Sequence, residues 1–127
     1  MAKAQAEITI PREADDVWEV VSDFGGLGDW MPGVESCRLE GDDRVIGLMG
    51  MEVREHLVRN DAAARVLEYS ITDGVPVESH HATITVTPEG DGAHVVWDVE
   101  AAPDDMAGMM AGIYQQALEA LRSHLGG

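Results

Sequence analysis

Glu55, Tyr69 and His80 are the side chains of this sequence best suited to moving a proton, and their setting decides whether they do so. Glu55 alternates with Met51, Val53 and Leu57, so a strand through this stretch turns its carboxylate to the same side as three apolar neighbours. A carboxylate there needs a partner, because an ionised group without one is costly to bury. Tyr69 shares a face with Leu67 and Ile71, and one hairpin register sets Glu55 directly across from it. The spacing predicts an inward Glu55, hydrogen-bonded to Tyr69 or to His80. Its other uses are to anchor a ligand or to act as general acid or base, with Tyr69 and His80 as the further acid/base candidates.

Other groupings that resemble sites resolve into structure. The run Phe24-Gly25-Gly26-Leu27-Gly28 is glycine-rich, but a dinucleotide-binding motif follows a strand and opens a long helix. Here the glycines follow a helical pattern and precede Trp30-Met31-Pro32, which predicts a structural turn or a flexible gate. His80 and His81 are neighbours on a strand and point to opposite faces, so they cannot chelate one ion together. With no second inward His or Cys at a ligand spacing, neither a metal nor a cofactor is expected. Cys37, the single cysteine, reads as a small hydrophobe and cannot form an intrachain disulfide, which fits a reducing cytosol. Ser22-Asp23 does not define a catalytic triad.

The elements that hold these residues follow from the changes of hydrophobic period. Ala4, Ala6, Ile8 and Ile10 alternate with polar residues as a half-buried strand, which Pro11 ends. Ala14 to Ser22 has helical spacing, with Asp15 and Asp16 at its positive end, and Phe24–Pro32 reads as a short helical turn or loop. Strands are expected at Val34–Glu40, Arg44–Met49, Met51–Arg59, Arg65–Thr72, Val77–Thr87 and Ala93–Ala101, divided by turn residues. A hairpin through Glu89–Gly92 pairs Val86 with Val95, Ile84 with Trp97 and Ala82 with Val99, so both strands agree on the inner face. After Pro103, Asp104 or Asp105 is placed to cap a helix running to about Leu125. Its apolar stripe holds Met106, Met109, Met110, Ile113 and Tyr114, then Ala117, Leu118, Leu121 and Leu125.

Short connections imply an antiparallel meander, and only the last helix is long enough to cover its apolar face. The fold class is therefore α+β, with a curved sheet of six or seven strands wrapped around a C-terminal helix. At 127 residues the chain fits one domain over residues 1–127. Eight Lys and Arg against 24 Asp and Glu give a net charge of −16, which repels phosphates and argues against nucleic acid and anionic membranes as partners. No apolar run reaches the length of a membrane span, and the start Met1-Ala2-Lys3-Ala4-Gln5 lacks a secretion signal's apolar stretch, so a cytoplasmic protein is expected.

The string Ile10-Pro11, Val17-Trp18-Glu19-Val20-Val21-Ser22-Asp23-Phe24, then Trp30-Met31-Pro32-Gly33-Val34, Cys37 and Gly41, resembles the polyketide cyclase/dehydrase and lipid-transport branch of the START-like (SRPBCC) superfamily. Glu55 and Asp61, Leu67 to Ile71, Ala82 to Pro88, Trp97, Tyr114, Leu118 and Leu121 extend the similarity over nearly the whole chain. The resemblance implies the helix-grip fold, with two short helices near the N-terminus completing a cavity. It specifies a fold better than a reaction, since members include carriers, aromatases and cyclases. Two positions depart from its pattern. Gly47-Leu48-Met49 stands where an Arg often follows the third-strand glycine, and His80 stands in place of a frequent Tyr, which together imply a shallower or more apolar pocket.

The first functional expectation is a binding module for a lipid, polyketide or isoprenoid-like molecule held between sheet and helix. Its expected contacts are Trp30, Glu55, Leu67, Tyr69 and His80, with Trp97, Met109, Met110 and Ile113, and access lies between the Gly25–Pro32 segment and the C-terminal helix. Six methionines, at 31, 49, 51, 106, 109 and 110, fall in segments that line or close such a cavity. The alternatives are a cyclase, aromatase or dehydratase using Glu55, Tyr69 and His80, and a domain whose cavity is vestigial. Neither the ligand nor the oligomeric state is specified by these residues.

Overall fold

The hairpin at Glu89–Gly92 forms with the register its residues predict: Val86 faces Val95, Ile84 faces Trp97, Ala82 faces Val99, and His81 lies opposite Glu100 on the other face. In the computed structural model, which describes residues 2–126, this hairpin is the centre of one antiparallel sheet. The strands are β1 (Ala2–Ile10), β2 (Val34–Glu40), β3 (Asp43–Leu48), β4 (Met51–Asp61), β5 (Val66–Asp73), β6 (Ser79–Glu89) and β7 (Gly92–Ala102). Their spatial order is β1-β7-β6-β5-β4-β3-β2, so the first strand closes onto the last by pairing Ala2–Ile10 with Ala93–Ala101. Helix α1 (Ala14–Ser22) and a 3-10 helix (Phe24–Asp29) fill the connection between β1 and β2, and α2 (Asp104–His124) follows β7. This is the helix-grip arrangement.

Two local expectations change. Neither Asp104 nor Asp105 caps α2; Pro103 occupies the cap position and both aspartates lie in the first turn, where their charge meets the positive end of the helix dipole. The β4–β5 hairpin pairs Glu55 with Ile71 and Leu57 with Tyr69, not Glu55 with Tyr69. Bulges between Arg54 and Glu55 and between Leu57 and Arg59 absorb extra residues, and Val58 is turned out to solvent. The displacement from the expected register is two residues. An even slip preserves the face, so Val53, Glu55 and Tyr69 are all buried as alternation requires.

The position of α2 creates the space that matters for function. Its residues Ala117, Leu118 and Leu121 are fully buried, and the helix packs against β1 and β7 at one side of the sheet. The concave face of β3, β4 and β5 on the other side is left to the 3-10 helix, the β5–β6 connection and the N-terminal half of α2. Three elements approaching at their ends cannot interdigitate like one continuous helix, and a void remains between them.

Candidate functional site

That void is a cavity of about 320 Å³. Val53, Glu55, Tyr69 and Ile71 face it from β4 and β5, Arg44, Ile46 and Leu48 from β3, and Met106, Met109, Met110, Ile113 and Tyr114 from α2. Leu27 and Met31 close one wall, and Val75 and Pro76 another. The large apolar side chains of the lining that are most exposed are Met49 (77%), Met109 (54%), Met51 (52%) and Ile113 (48%), and these edge the mouth. Access was expected between the Gly25–Pro32 segment and α2. The exposed edge includes the β3–β4 turn and α2, while Leu27 is buried in the wall and Met31 is half-buried.

The β3–β4 turn is tight. Leu48 pairs with Met51, leaving Met49 and Gly50 as its two central residues, with φ of 53° and 80°. Positive φ at both positions is the hairpin geometry that favours Asn-Gly, and methionine is an uncommon occupant of the first. The Glu35 carboxylate accepts a hydrogen bond from the Gly50 N–H at 3.1 Å and braces the turn.

The same turn fixes the polar end of the cavity. Counting back from Leu48 opposite Met51, β3 and β4 pair Ile46 with Val53 and Arg44 with Glu55. Arg44 is 3% and Glu55 7% exposed, and Arg44 Nε donates to Glu55 Oε1 at 2.6 Å, with Nη2 also 2.6 Å from that oxygen. Arg44 Nη1 donates to the Phe24 carbonyl at 3.2 Å, and the guanidinium carbon lies 4.1 Å from the Phe24 ring centroid and 5.0 Å from that of Tyr69. The partner of Glu55 is thus Arg44, in place of the expected Tyr69 or His80. Arg44 stands near the start of its strand, and extending the two-residue turn by its own register pairs it with Glu55.

Behind this pair lies a second polar group. The Ile71 N–H donates to His80 Nδ1 at 3.0 Å, so the proton of the neutral ring is on Nε2, which donates to the Tyr114 hydroxyl at 3.1 Å. Burial, with the charge of His81 as a smaller contribution, lowers the His80 pKa to about 4 and keeps the ring neutral at pH 7. Trp97 Nε1 donates to the Tyr69 hydroxyl at 3.2 Å, and the Trp97 and Tyr114 rings stack with centroids 4.0 Å apart. Burial pushes both phenols well above their ordinary range, so both keep their protons.

Of the residues expected to contact a ligand, Glu55, Tyr69, Trp97, Met109, Met110 and Ile113 lie in the cavity wall. Trp30, Leu67 and His80 do not. Leu67 faces Ile84 in the core, Trp30 packs with its ring centroid 6.5 Å from that of Trp97, and His80 stands behind Tyr114. Among the described residues there is no group of three or more His, Cys, Asp or Glu side chains placed to hold a metal ion. No helix among them is long and apolar enough to cross a membrane.

Comparison with known proteins agrees with this architecture. Residues 1–126 match the sequence profile of the family described as polyketide cyclase/dehydrase and lipid transport. The chain is similar to the protein XoxI from Bacillus cereus, with 27% identity, a TM-score of 0.90 and coverage of 97% of this chain and 94% of that one. A protein from Thermobifida fusca is 30% identical with a TM-score of 0.81, over 96% of this chain and 91% of that one. The di-domain ARO/CYC BexL shares the fold at 19% identity and a TM-score of 0.84, over 99% of this chain and 47% of that one. A search of curated proteins finds no match. Fold, cavity and sequence profile agree, and the chain belongs to the polyketide cyclase/dehydrase and lipid transport family.

Proposed function

We propose that the protein binds a small, largely apolar molecule in the cavity between β3–β5 and α2. The observation that carries this reading is the cavity itself: about 320 Å³ of open volume, at the lower end of the range of small-molecule pockets. A vestigial pocket would have been filled by side chains, as protein interiors are. The mouth supports it too. Met49, Met51, Met109 and Ile113 give an adaptable apolar edge, and flexible thioether side chains tolerate many ligand shapes. The lone Cys37 has no disulfide partner, which supports a carrier working in the cytoplasm.

A second reading is an enzyme of the cyclase or dehydratase kind. Arg44, Glu55, Tyr69 and Tyr114 in the cavity wall favour it, as does the fold shared with BexL, described as an ARO/CYC from the BE-7585A biosynthetic pathway. Binding is preferred because a general base needs a free lone pair within reach of the substrate. His80 spends its acceptor nitrogen on the Ile71 N–H and stands outside the cavity wall, and Glu55 is paired through Oε1 with the Arg44 guanidinium, whose positive charge makes the carboxylate a weaker base.

Native mass spectrometry of the protein purified from its own host tests the reading. The expected result is a retained apolar molecule that the Ile113→Trp variant loses. Protein free of any such molecule, together with unchanged binding of a hydrophobic fluorophore by that variant, overturns it. Loss of water or ring closure in the retained molecule on incubation would favour the enzyme.

A further inference from the structure

The hydrogen bonds at the closed end of the cavity have a direction. Tyr69 and Tyr114 are the only two tyrosines of the chain, and each is used by the protein as an acceptor: Tyr69 by Trp97 Nε1 and Tyr114 by His80 Nε2. The His80 bond cannot be reversed, because Nδ1 already accepts from the Ile71 N–H and the neutral ring therefore carries its proton on Nε2. Both phenols thus still have an O–H proton to place. A hydrogen bond from one hydroxyl to the other would use only one of the two protons. Neither hydroxyl bonds Glu55, the only carboxylate in the cavity wall, which is paired with Arg44 through Oε1. At least one phenolic proton is left without a protein acceptor, on a residue that lines the cavity.

We propose that Tyr69 and Tyr114 form a hydrogen-bond donor site that selects apolar ligands carrying a carbonyl oxygen, such as a ketone, quinone or ester. This rests on the cavity-binding reading and adds the ligand's polar group to it. The stacked Trp97 ring and the bonds from Trp97 and His80 hold the phenols in place, so the donor is oriented before a ligand arrives. A carbonyl accepts and has no proton of its own to satisfy. A hydrocarbon of the same shape leaves the buried O–H unmatched, and such mismatches carry much of the discrimination in polar pockets.

The test compares α-tetralone with tetralin, which has nearly the same shape without the carbonyl. Affinity is read by titration calorimetry, and the bond itself from the infrared carbonyl stretch of bound tetralone. The expected result is roughly five- to tenfold tighter binding of the ketone, the worth of one neutral hydrogen bond, with the carbonyl band moved to lower frequency. Growth on a fluorinated tyrosine labels only these two residues; a more acidic phenol donates more strongly, and the band should move further without any change in packing. The Tyr69→Phe, Tyr114→Phe double variant should lose the shift and bind both probes alike. Equal affinities or an unshifted band overturn the donor site while leaving cavity binding intact. Failure of both probes to bind overturns the cavity reading as well. A band that ignores fluorination, or stays shifted in the double variant, assigns the bond to the Arg44 guanidinium and overturns the proposal.

Discussion

Replacing Glu55 with glutamine keeps the side-chain shape and removes the charge that balances Arg44. In the native protein two guanidinium nitrogens lie 2.6 Å from one carboxylate oxygen, and the two side chains are 3% and 9% exposed. At that separation and an effective dielectric of about 20, the attraction is about 6 kcal/mol. Desolvation of both ions offsets most of it, so the pair adds little net stability compared with an apolar pair of similar volume. Removing one partner is different, because it leaves the other charge buried: the cost is about 3–5 kcal/mol. Arg44 would keep the Phe24 carbonyl and its position near the Phe24 and Tyr69 rings, which places Glu55→Gln toward the lower end. At roughly 3–5 °C per kcal/mol for a chain of this length, the unfolding midpoint should fall by about 10–15 °C. The double variant Arg44→Met, Glu55→Leu should recover most of that loss. Urea unfolding of the two single variants, the double variant and the native protein measures the coupling directly. A loss under about 1 kcal/mol for Glu55→Gln, or a double variant no more stable than the singles, refutes the argument that the pair is desolvated and mutually dependent.

Ile113→Trp adds bulk to a half-exposed position at the mouth, so it should weaken binding of a hydrophobic fluorophore severalfold while shifting the unfolding midpoint by only about 2 °C; a large shift would show that Ile113 belongs to the packed core. His80 has a folded pKa of about 4, below the ordinary 6.5, so between those values the unfolded chain binds a proton that the folded chain does not. Stability from this group is fully present above pH 6.5 and declines as pH falls to about 4, by at most about 3 kcal/mol. The His80→Asn variant, whose amide oxygen can still accept from the Ile71 N–H, should show a flatter slope in urea unfolding over that range, and an unchanged slope would reject the assignment. Met49→Asn should gain about 0.5–1 kcal/mol by suiting the positive-φ turn, and should weaken fluorophore binding by removing the most exposed apolar side chain of the mouth. Calorimetric unfolding and fluorescence titration read the two effects separately.

The element order, the inner faces of the β4–β5 and β6–β7 hairpins and the identity of the covering helix were legible in the sequence. Each rests on a period of two or 3.6 residues, and a period survives any arrangement of neighbours. Ile84 opposite Trp97 followed from one turn, and Arg44 opposite Glu55 was equally available from the Met49-Gly50 turn. What the chain did not reveal was how far each strand slips. The strands run on to Asp61 opposite Val66, which puts the turn at residues 62–65, and the bulge at Val58 then takes out one residue, so Glu55 faces Ile71 and not Tyr69. The cavity belongs to the tertiary structure alone, since its volume is the difference between the breadth of the sheet and the reach of α2. Met109 and Ile113 continue the same apolar stripe as Leu118 and Leu121, yet the first two edge an opening and the last two are fully buried. Periodicity assigns a residue to a face; only the packing of the neighbouring elements decides whether that face meets another side chain or open space.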